Sequence, residues 1–310
     1  MALAYVLIAV VLLWKGADIL VDAAANIARR WNVSELVIGL TLVALGTSAP
    51  EFAVSIGAAL AGQSDISVGN IVGSNTFNLG FILGGCAAMR AIATHRTIVR
   101  RDGLFLLAIT IVFTVLIRDL ELSRQDGVIM CILLIAYSVV LFRYRQDTSE
   151  PTEEIHPAAS LWVDLLKTAV SLVMVMGGAK LLVDGASSLA REFGMSEWAI
   201  GVTIVAAGTS APELVTAFNA TLKGKHGISA GGLIGSDIYN ILGVLGVASL
   251  IKPLGISDDN LSSVYIMVLM VALVLLFMRT QWRISRWEGL VLIAINIVRW
   301  WWDVAGGQAQ

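Results

Sequence analysis

Charge is scarce in this chain. Asp, Glu, Lys and Arg make up only 14% of its 310 residues, while 57% are hydrophobic. Soluble domains carry about 25% charged residues. Together with a mean hydropathy of +0.82, the deficit excludes an ordinary soluble domain and predicts a polytopic membrane protein. Basic residues are not in excess either. The formal net charge is -2, which argues against a nucleic-acid partner. Cysteine is nearly absent: Cys86 and Cys131 both lie inside apolar runs, where they read as small buried hydrophobes rather than as a disulfide or metal pair. His95, His156 and His226 fall between apolar runs, so no Cys/His set for zinc or copper forms. A nucleophile with a base and an orienting partner is also missing, so no enzyme and no cofactor is expected. No feature calls for an obligate protein partner. The opening MALAYVLIAVVLLW lacks the basic region and small-residue cleavage site of a signal peptide, and reads as a retained first span.

Long apolar runs, by contrast, are plentiful. Ten runs of span length lie at about 2–27, 34–61, 66–89, 102–118, 126–143, 160–189, 196–222, 228–251, 261–279 and 287–304. The longest polar break, residues 143–159 (RYRQDTSEPTEEIHPAA), reads as a linker by composition. It divides the chain into residues 1–142 and 160–310. The two parts repeat at a constant offset: 184 − 22, 213 − 51, 236 − 74 and 240 − 78 all equal 162. Five spans per repeat is an odd number, so the second copy enters the membrane from the opposite side. The expected fold is therefore all-α, with ten transmembrane helices arranged as two inverted five-helix repeats. Such an architecture is typical of secondary transporters, with the site near midplane at the repeat interface. Thirteen Lys and Arg residues follow odd-numbered spans and five follow even-numbered ones. The positive-inside rule then places the linker in the cytoplasm and both termini outside an inner (plasma) membrane.

One stretch occurs twice. Residues 33–51 (VSELVIGLTLVALGTSAPE) and 195–213 (MSEWAIGVTIVAAGTSAPE) share thirteen of nineteen positions. Each copy ends a helix-length apolar run with a carboxylate, Glu51 or Glu213, beside Pro50 or Pro212. An acid at the centre of a bilayer costs roughly 2.5–3.5 kcal/mol on insertion scales and is functional by default. Proline withholds an N–H from the carbonyl four residues back, here Gly46 or Gly208, and unwinding frees neighbouring carbonyls, among them those of Thr47 and Thr209. A second pair follows, GNIVGSNTFNLGFILG at 69–84 and GGLIGSDIYNILGVLG at 231–246. Ser74 and Asn78 are four apart, as are Ser236 and Asn240, and each pair shares a helix face with Asn75 or Asp237 close by. Ser48 and Ser210 add hydroxyls. Three carboxylates with hydroxyl, amide and carbonyl oxygens suit a hard cation such as calcium. Blander roles exist for single residues: Ser74 or Asn78 alone is equally at home holding helices together. Gly39, Gly46, Gly73 and Gly80 read as close-packing sites. Lys15, Asp18, Asp22, Lys180 and Asp184 read as snorkelling or helix-pairing groups. Trp300, Trp301 and Trp302 read as an interfacial belt.

On GTSAPE at 46–51 and 208–213, GSNTFN at 73–78 and GSDIYN at 235–240, the chain resembles the cation/calcium antiporter superfamily, in particular its prokaryotic sodium/calcium exchangers. The resemblance covers nearly the whole chain and implies sodium/calcium antiport by alternating access, with spans one and six sliding across a polar core. The partners it implies are calcium and sodium ions and the lipid bilayer. It also implies that Glu51 and Glu213 bridge calcium, joined by backbone oxygens of Thr47 and Thr209. Sodium would use the carbonyls of Ala44 and Ala206 with Ser48, Ser74, Ser210 and Ser236, and Asn78 and Asn240 would line a middle position. There is one departure: archaeal members carry an acid where this chain has Asn240, and an amide where it has Asp237. Calcium/proton exchange and potassium-dependent sodium/calcium exchange stay open as alternatives on the same scaffold.

Overall fold

The computed structural model describes residues 2–143, 160–192 and 206–306. The expected linker beyond residue 143 and the start of the expected seventh span lie outside the described residues. The described elements are helices, joined by short turns, and four two-residue strands. In chain order the helices are α1 (Ala2–Arg30), the broken pair α2 (Glu35–Thr47) and α3 (Ala49–Leu60), α4 (Ser64–Met89), α5 (Leu104–Leu116) and α6 (Arg124–Arg143). The second half has α7 (Leu161–Glu192), the short α8 (Ala206–Thr209), α9 (Ala211–Leu222), α10 (His226–Ile251), α11 (Leu261–Arg279) and α12 (Arg286–Gly306). Six of these, α1, α4, α6, α7, α10 and α11, are long and apolar enough to cross a membrane, and the bent pair α2–α3 makes a seventh. The protein is thus an all-helical membrane protein.

Burial separates core helices from lipid-facing ones. The most apolar windows of α4 and α10 are 72% and 83% buried, against 33% in α1, 28% in α7 and 22% in α6. A helix that hides so much surface needs small residues where backbones meet, because lipid gives no hydrophobic drive to association. α10 supplies them at four-residue intervals as Gly227, Gly231 and Gly235. A Cβ on Gly235 would sit 2.7 Å from the Leu40 carbonyl and 2.8 Å from the Ala44 Cβ of α2. Gly39 of α2 meets α10 in the same way, with a Cβ there lying 2.9 Å from the Gly227 carbonyl. Gly73 departs from the close-packing expectation, since nothing lies within 4 Å of where its Cβ would be.

Outside this core, α1 packs along α7 more extensively than any other two elements pack. Leu13, Val175 and Ala179 form part of the seam. One end is sealed by the fully buried Asp164, which accepts from Asn26 at 3.3 Å and pairs with Arg30 at 3.4 Å.

The two halves touch reciprocally. β1 (Ile92–Ala93) pairs antiparallel with β4 (Arg283–Ile284), and β2 (Glu121–Leu122) with β3 (Leu254–Gly255). Ile92 opposes Ile284 and Leu122 opposes Leu254. Since 92 + 162 is 254 and 122 + 162 is 284, each ladder is the other's image under the sequence offset. Contacts in which i meets j and j meets i mark a two-fold relationship.

Gly235→Val should test the α2–α10 approach. Overpacking of this kind costs roughly 1–3 kcal/mol or more, so the variant should unfold at a lower temperature in detergent. Gly73→Ala, which enters open space, should unfold no lower than the parent.

Candidate cation site

Each half contributes a helix that breaks at a serine. α2 ends at Thr47, and Ser48 (φ −76°, ψ 1°) leaves helical geometry before α3 begins, with a bend of 47°. Ser210 (φ −87°, ψ 9°) does the same between α8 and α9. Pro50 and Pro212 sit in the first turn beyond each break, where a missing N–H is tolerated. Glu51 and Glu213 therefore fall in the first turn of α3 and α9, where the N-terminal peptide dipoles favour negative charge. α4 and α10 widen in the same region: π-helical turns occupy Asn78–Leu83 and Tyr239–Leu245. Such bulges are frequent at functional sites, and here they carry Asn78 and Asn240.

The side chains that meet come from both halves. Ser210 donates to Glu51 Oε1 at 3.2 Å, and Ser48 reaches Glu213 Oε1 at 3.4 Å. Ser74 donates to Glu51 at 3.4 Å and Ser236 to Glu213 at 3.1 Å. The Ser48 and Ser236 hydroxyls lie 2.7 Å apart. Alongside, Asn78 Nδ2 donates to Asp237 Oδ1 at 3.0 Å, and Asn240 Nδ2 to Asn75 Oδ1 at 2.9 Å. These last two bonds are images under the offset of 162, with a carboxylate at one place and an amide at the other. Asn75 also donates to the Asp237 backbone carbonyl at 3.1 Å. Asn78 Nδ2 lies 3.5 Å from Ser236 Oγ and joins the two groups.

This cluster is buried and short of donors. Glu51, Asn78, Ser48, Ser210, Ser236, Asp237 and Asn240 are fully buried, and Glu213 is 3% exposed. Five oxygens have no hydrogen-bond partner: Glu51 Oε2, Glu213 Oε2, Asn78 Oδ1, Asp237 Oδ2 and Asn240 Oδ1. Among the described residues none of the three acids has a basic partner; the ion pairs formed by Arg30, Arg101, Lys223 and Lys225 all lie elsewhere. Buried charges are normally paired or coordinate metal. Buried acceptor oxygens without a proton donor are therefore suited to a cation. Among the described residues no three His, Cys, Asp or Glu side chains close on one point. A single cation would thus take at most two of the three carboxylates, with neutral oxygens completing its shell.

Other residues singled out in the sequence fall as follows. Thr47 is buried; its hydroxyl lies 3.1 Å from the Val43 carbonyl, and its side chain also bears on Glu213. The Ala44 carbonyl accepts the Ser48 N–H at 3.0 Å and also the Thr47 hydroxyl at 3.4 Å. Ala206 opens α8 and Thr209 closes it, half-buried; the Ala206 side chain lies outside what is described. Asp18 and Asp22 pair across helices, with Lys223 at 2.7 and 2.6 Å. Trp300 packs on Phe77 and Phe81. His226 opens α10 rather than lying in a loop. Sequence reasoning missed Asn296 of α12, which is 1% exposed and donates to the Thr76 carbonyl at 2.7 Å, just before the wide turn carrying Asn78. A lone Asn in an apolar run was its only signal.

Comparison with known proteins agrees with this geometry. Residues 1–143 and 164–302 match the family described as Sodium/calcium exchanger protein. The sodium/calcium exchanger MaX1 of Methanosarcina acetivorans is 33% identical over 335 residues, covering 94% of this chain and 95% of that protein. The inner membrane protein YrbG of Escherichia coli strain K12 is 33% identical over 312 residues, covering 97% and 95%. A solved structure of the sodium-calcium exchanger NCX_Mj, soaked with zero Na+ and Ca2+, superposes with a TM-score of 0.85 at 34% identity, covering 96% of this chain and 97% of that one. The chain belongs to the sodium/calcium exchanger protein family, a family of transporters rather than enzymes.

Proposed function

We propose that this protein exchanges sodium for calcium across the inner membrane by alternating access. The observation that carries the proposal is the set of five unpartnered oxygens in a buried cluster without basic residues, built where two broken helices meet. The proposed architecture is ten membrane-crossing segments in two inverted repeats, 1–142 and 160–310, joined by a cytoplasmic linker at 143–159, with both termini outside. The reciprocal strand pairs and hydrogen bonds support it, because a two-fold axis in the membrane plane would generate both. Inner-membrane placement is supported by the relative named as an inner membrane protein.

In this proposal Glu51 and Glu213 hold calcium from opposite sides, with backbone oxygens of Thr47 and Thr209. Sodium uses Ser48, Ser74, Ser210 and Ser236 with the carbonyls of Ala44 and Ala206. Asn78, Asn240 and Asp237 line the middle of the cluster. The two cations compete for the same oxygens, so one excludes the other. An unloaded cluster leaves buried anions uncompensated, which is costly in low dielectric. The loaded carrier is then the one that switches, and the fluxes are coupled. α1 and α7, which seal chiefly against each other, supply the moving pair. Sodium is favoured over protons as the driving ion because the relative MaX1 and the structural neighbour NCX_Mj are both named for sodium/calcium exchange.

Reconstituted into proteoliposomes, the protein should take up calcium against an outward sodium gradient without added potassium. Uptake driven by a pH gradient alone would replace sodium by protons in this scheme, and a strict potassium requirement would make it potassium-coupled. Neutralising one of two buried charges facing a divalent ion removes roughly 2–5 kcal/mol. Glu51→Gln or Glu213→Gln should therefore cut sodium-driven calcium uptake by about 30-fold or more at subsaturating calcium, while the protein still elutes as a monodisperse peak. Near-normal uptake by either variant would refute the site. Asp237→Asn should restore to both halves the same amide-to-amide pair and change the sodium concentration needed for half-maximal exchange. An unchanged sodium dependence would confine Asp237 to a structural role.

A further inference from the structure

α12 lies on α4 as α6 lies on α10. A Cβ on Gly84 of α4 would sit 2.9 Å from the Gly289 carbonyl of α12, and a Cβ on Gly127 of α6 would sit 2.7 Å from the Gly246 carbonyl of α10. Gly84 matches Gly246 and Gly127 matches Gly289 under the offset of 162, so the two contacts are images of one another. One position breaks the likeness: Asn296 of α12 matches Leu134 of α6. Leu134 makes an apolar contact, with its Cδ2 3.4 Å from where a Cβ on Gly243 would be. Asn296 instead donates to the Thr76 carbonyl at 2.7 Å.

Asn296 is buried while its neighbours Ile295, Ile297 and Val298 are exposed, so it points into the protein. Asn in a membrane helix often does no more than tie two helices together. Its partner here says more. In a regular α-helix the Thr76 carbonyl would take the N–H of Gly80, four residues on. An amide set on that carbonyl competes with the N–H, and insertion into the ladder is one cause of a break in helical regularity. The wide turn Asn78–Leu83 begins two residues past Thr76. Gly80 lies within it, and a Cβ there would run into the Asn296 amide. The matching residue of the second half is Leu242, so the room that Asn296 enters belongs to the first half alone. That half's turn carries Asn78, which donates to Asp237 at 3.0 Å, whereas the other carries Asn240, which donates to the neutral Asn75. The turn held from outside is the one whose amide serves the acid.

We propose that Asn296 is a positioning residue for the cation site: it fixes the wide turn of α4 so that the Asn78 amide stays on Asp237 Oδ1 and leaves Asp237 Oδ2 for a cation. The proposal rests on the exchange reading and adds a residue to it. The wide turn of the second half forms without such a bond, so Asn296 fixes its turn rather than creating it. A hydrogen bond to a carboxylate is stronger than one between neutral groups, and it weakens steeply once misaligned. With the turn displaced, Asp237 loses the Asn78 donor, and a cation bound there meets a differently placed carboxylate.

A double-mutant cycle tests it, read in purified protein as the sodium concentration that halves calcium binding. Asn296→Leu, which copies Leu134, should shift that concentration by about fivefold or more, in the same direction as Asn78→Ala. On the Asn78→Ala background it should add less than about twofold, because the amide it positions is gone. A residue that only supported the fold would act alike on both backgrounds. Gly80→Ala, whose methyl displaces the Asn296 amide, should reproduce the Asn296→Leu shift. On the Asn296→Ala background, where that space is vacant, Gly80→Ala should add nothing. An unchanged sodium competition in Asn296→Leu, or equal shifts with and without Asn78, overturns the assignment. Should Asn296→Leu fail to fold, Asn296→Ala takes its place, and should Asn78→Ala bind no calcium, Asp237→Asn serves as the background, with the same expectations. If the unmodified protein shows no sodium-driven calcium uptake in proteoliposomes, the exchange reading fails and this assignment falls with it. If it exchanges and the cycle is additive, only the role of Asn296 fails.

Discussion

Everything in this molecule is arranged around acids that have been buried without bases. Glu51, Glu213 and Asp237 are removed from water, and each keeps one oxygen with no donor. Left alone, a carboxylate in such a place would favour the protonated form or destabilise the fold. The chain accepts this cost twice, at matched positions, and surrounds the acids with serines and asparagines instead of lysine or arginine. Those neighbours hold one oxygen of each carboxylate and leave the other without a partner. A guanidinium in their place would satisfy the charge permanently, and a transported cation could no longer compete for it.

The fold explains how such a cluster survives in a bilayer. Irregular backbone at membrane depth is tolerated only where it is covered by protein or lines a cavity. Breaks at Ser48 and Ser210 meet that condition because α4 and α10, the two most buried helices, lie against them. The close approach is made by glycines of α10 on α2, and the wide turns at Asn78–Leu83 and Tyr239–Leu245 carry the Asn78 amide onto Asp237 and the Asn240 amide onto Asn75. α1 and α7 remain outside, bound mainly to each other. That division between a packed polar core and an outer helix pair would supply the two parts that the proposed alternating access needs: a site that keeps its shape and a cover that can shift.

Much of this was legible in the chain before any coordinates, and for a physical reason. Lipid leaves few ways to place an acid, a proline and an amide in an apolar run, so the doubled GTSAPE and the Ser-Asn pairs stood out. Their constant offset also carried the repeat. Less legible was whatever depends on which residues meet across the halves. That Asn240 serves Asn75 while Asn78 serves Asp237 follows from a two-fold contact that periodicity does not encode. Asp18 and Asp22 read as snorkelling or pairing groups, and only three dimensions bring Lys223, some two hundred residues away, to both. Gly73 looked like its packing neighbours, yet it faces open space. Asn296 carried no signal beyond being polar in an apolar helix.

The same comparison of halves separates what symmetry supplies from what it must not. A two-fold arrangement is a direct way to bring two carboxylates to one ion from opposite sides, and it accounts for the near-identity of the paired hydrogen bonds. It would also give the two faces equivalent routes to the site, and a carrier open on both faces at once is a leak. The residues that differ between halves lie just outside the cluster: Asn70 donates to Ser55 at 2.9 Å, whereas Gly232 and Ala217 stand at the matching places of the second half. Identity is held at the proposed ion site, and it is given up one helical turn away, where Thr216 and Asn219 are buried while Val54 and Gly57 at the matching places are exposed. Divergence of that kind is what a conformation with a single accessible side requires of a duplicated sequence.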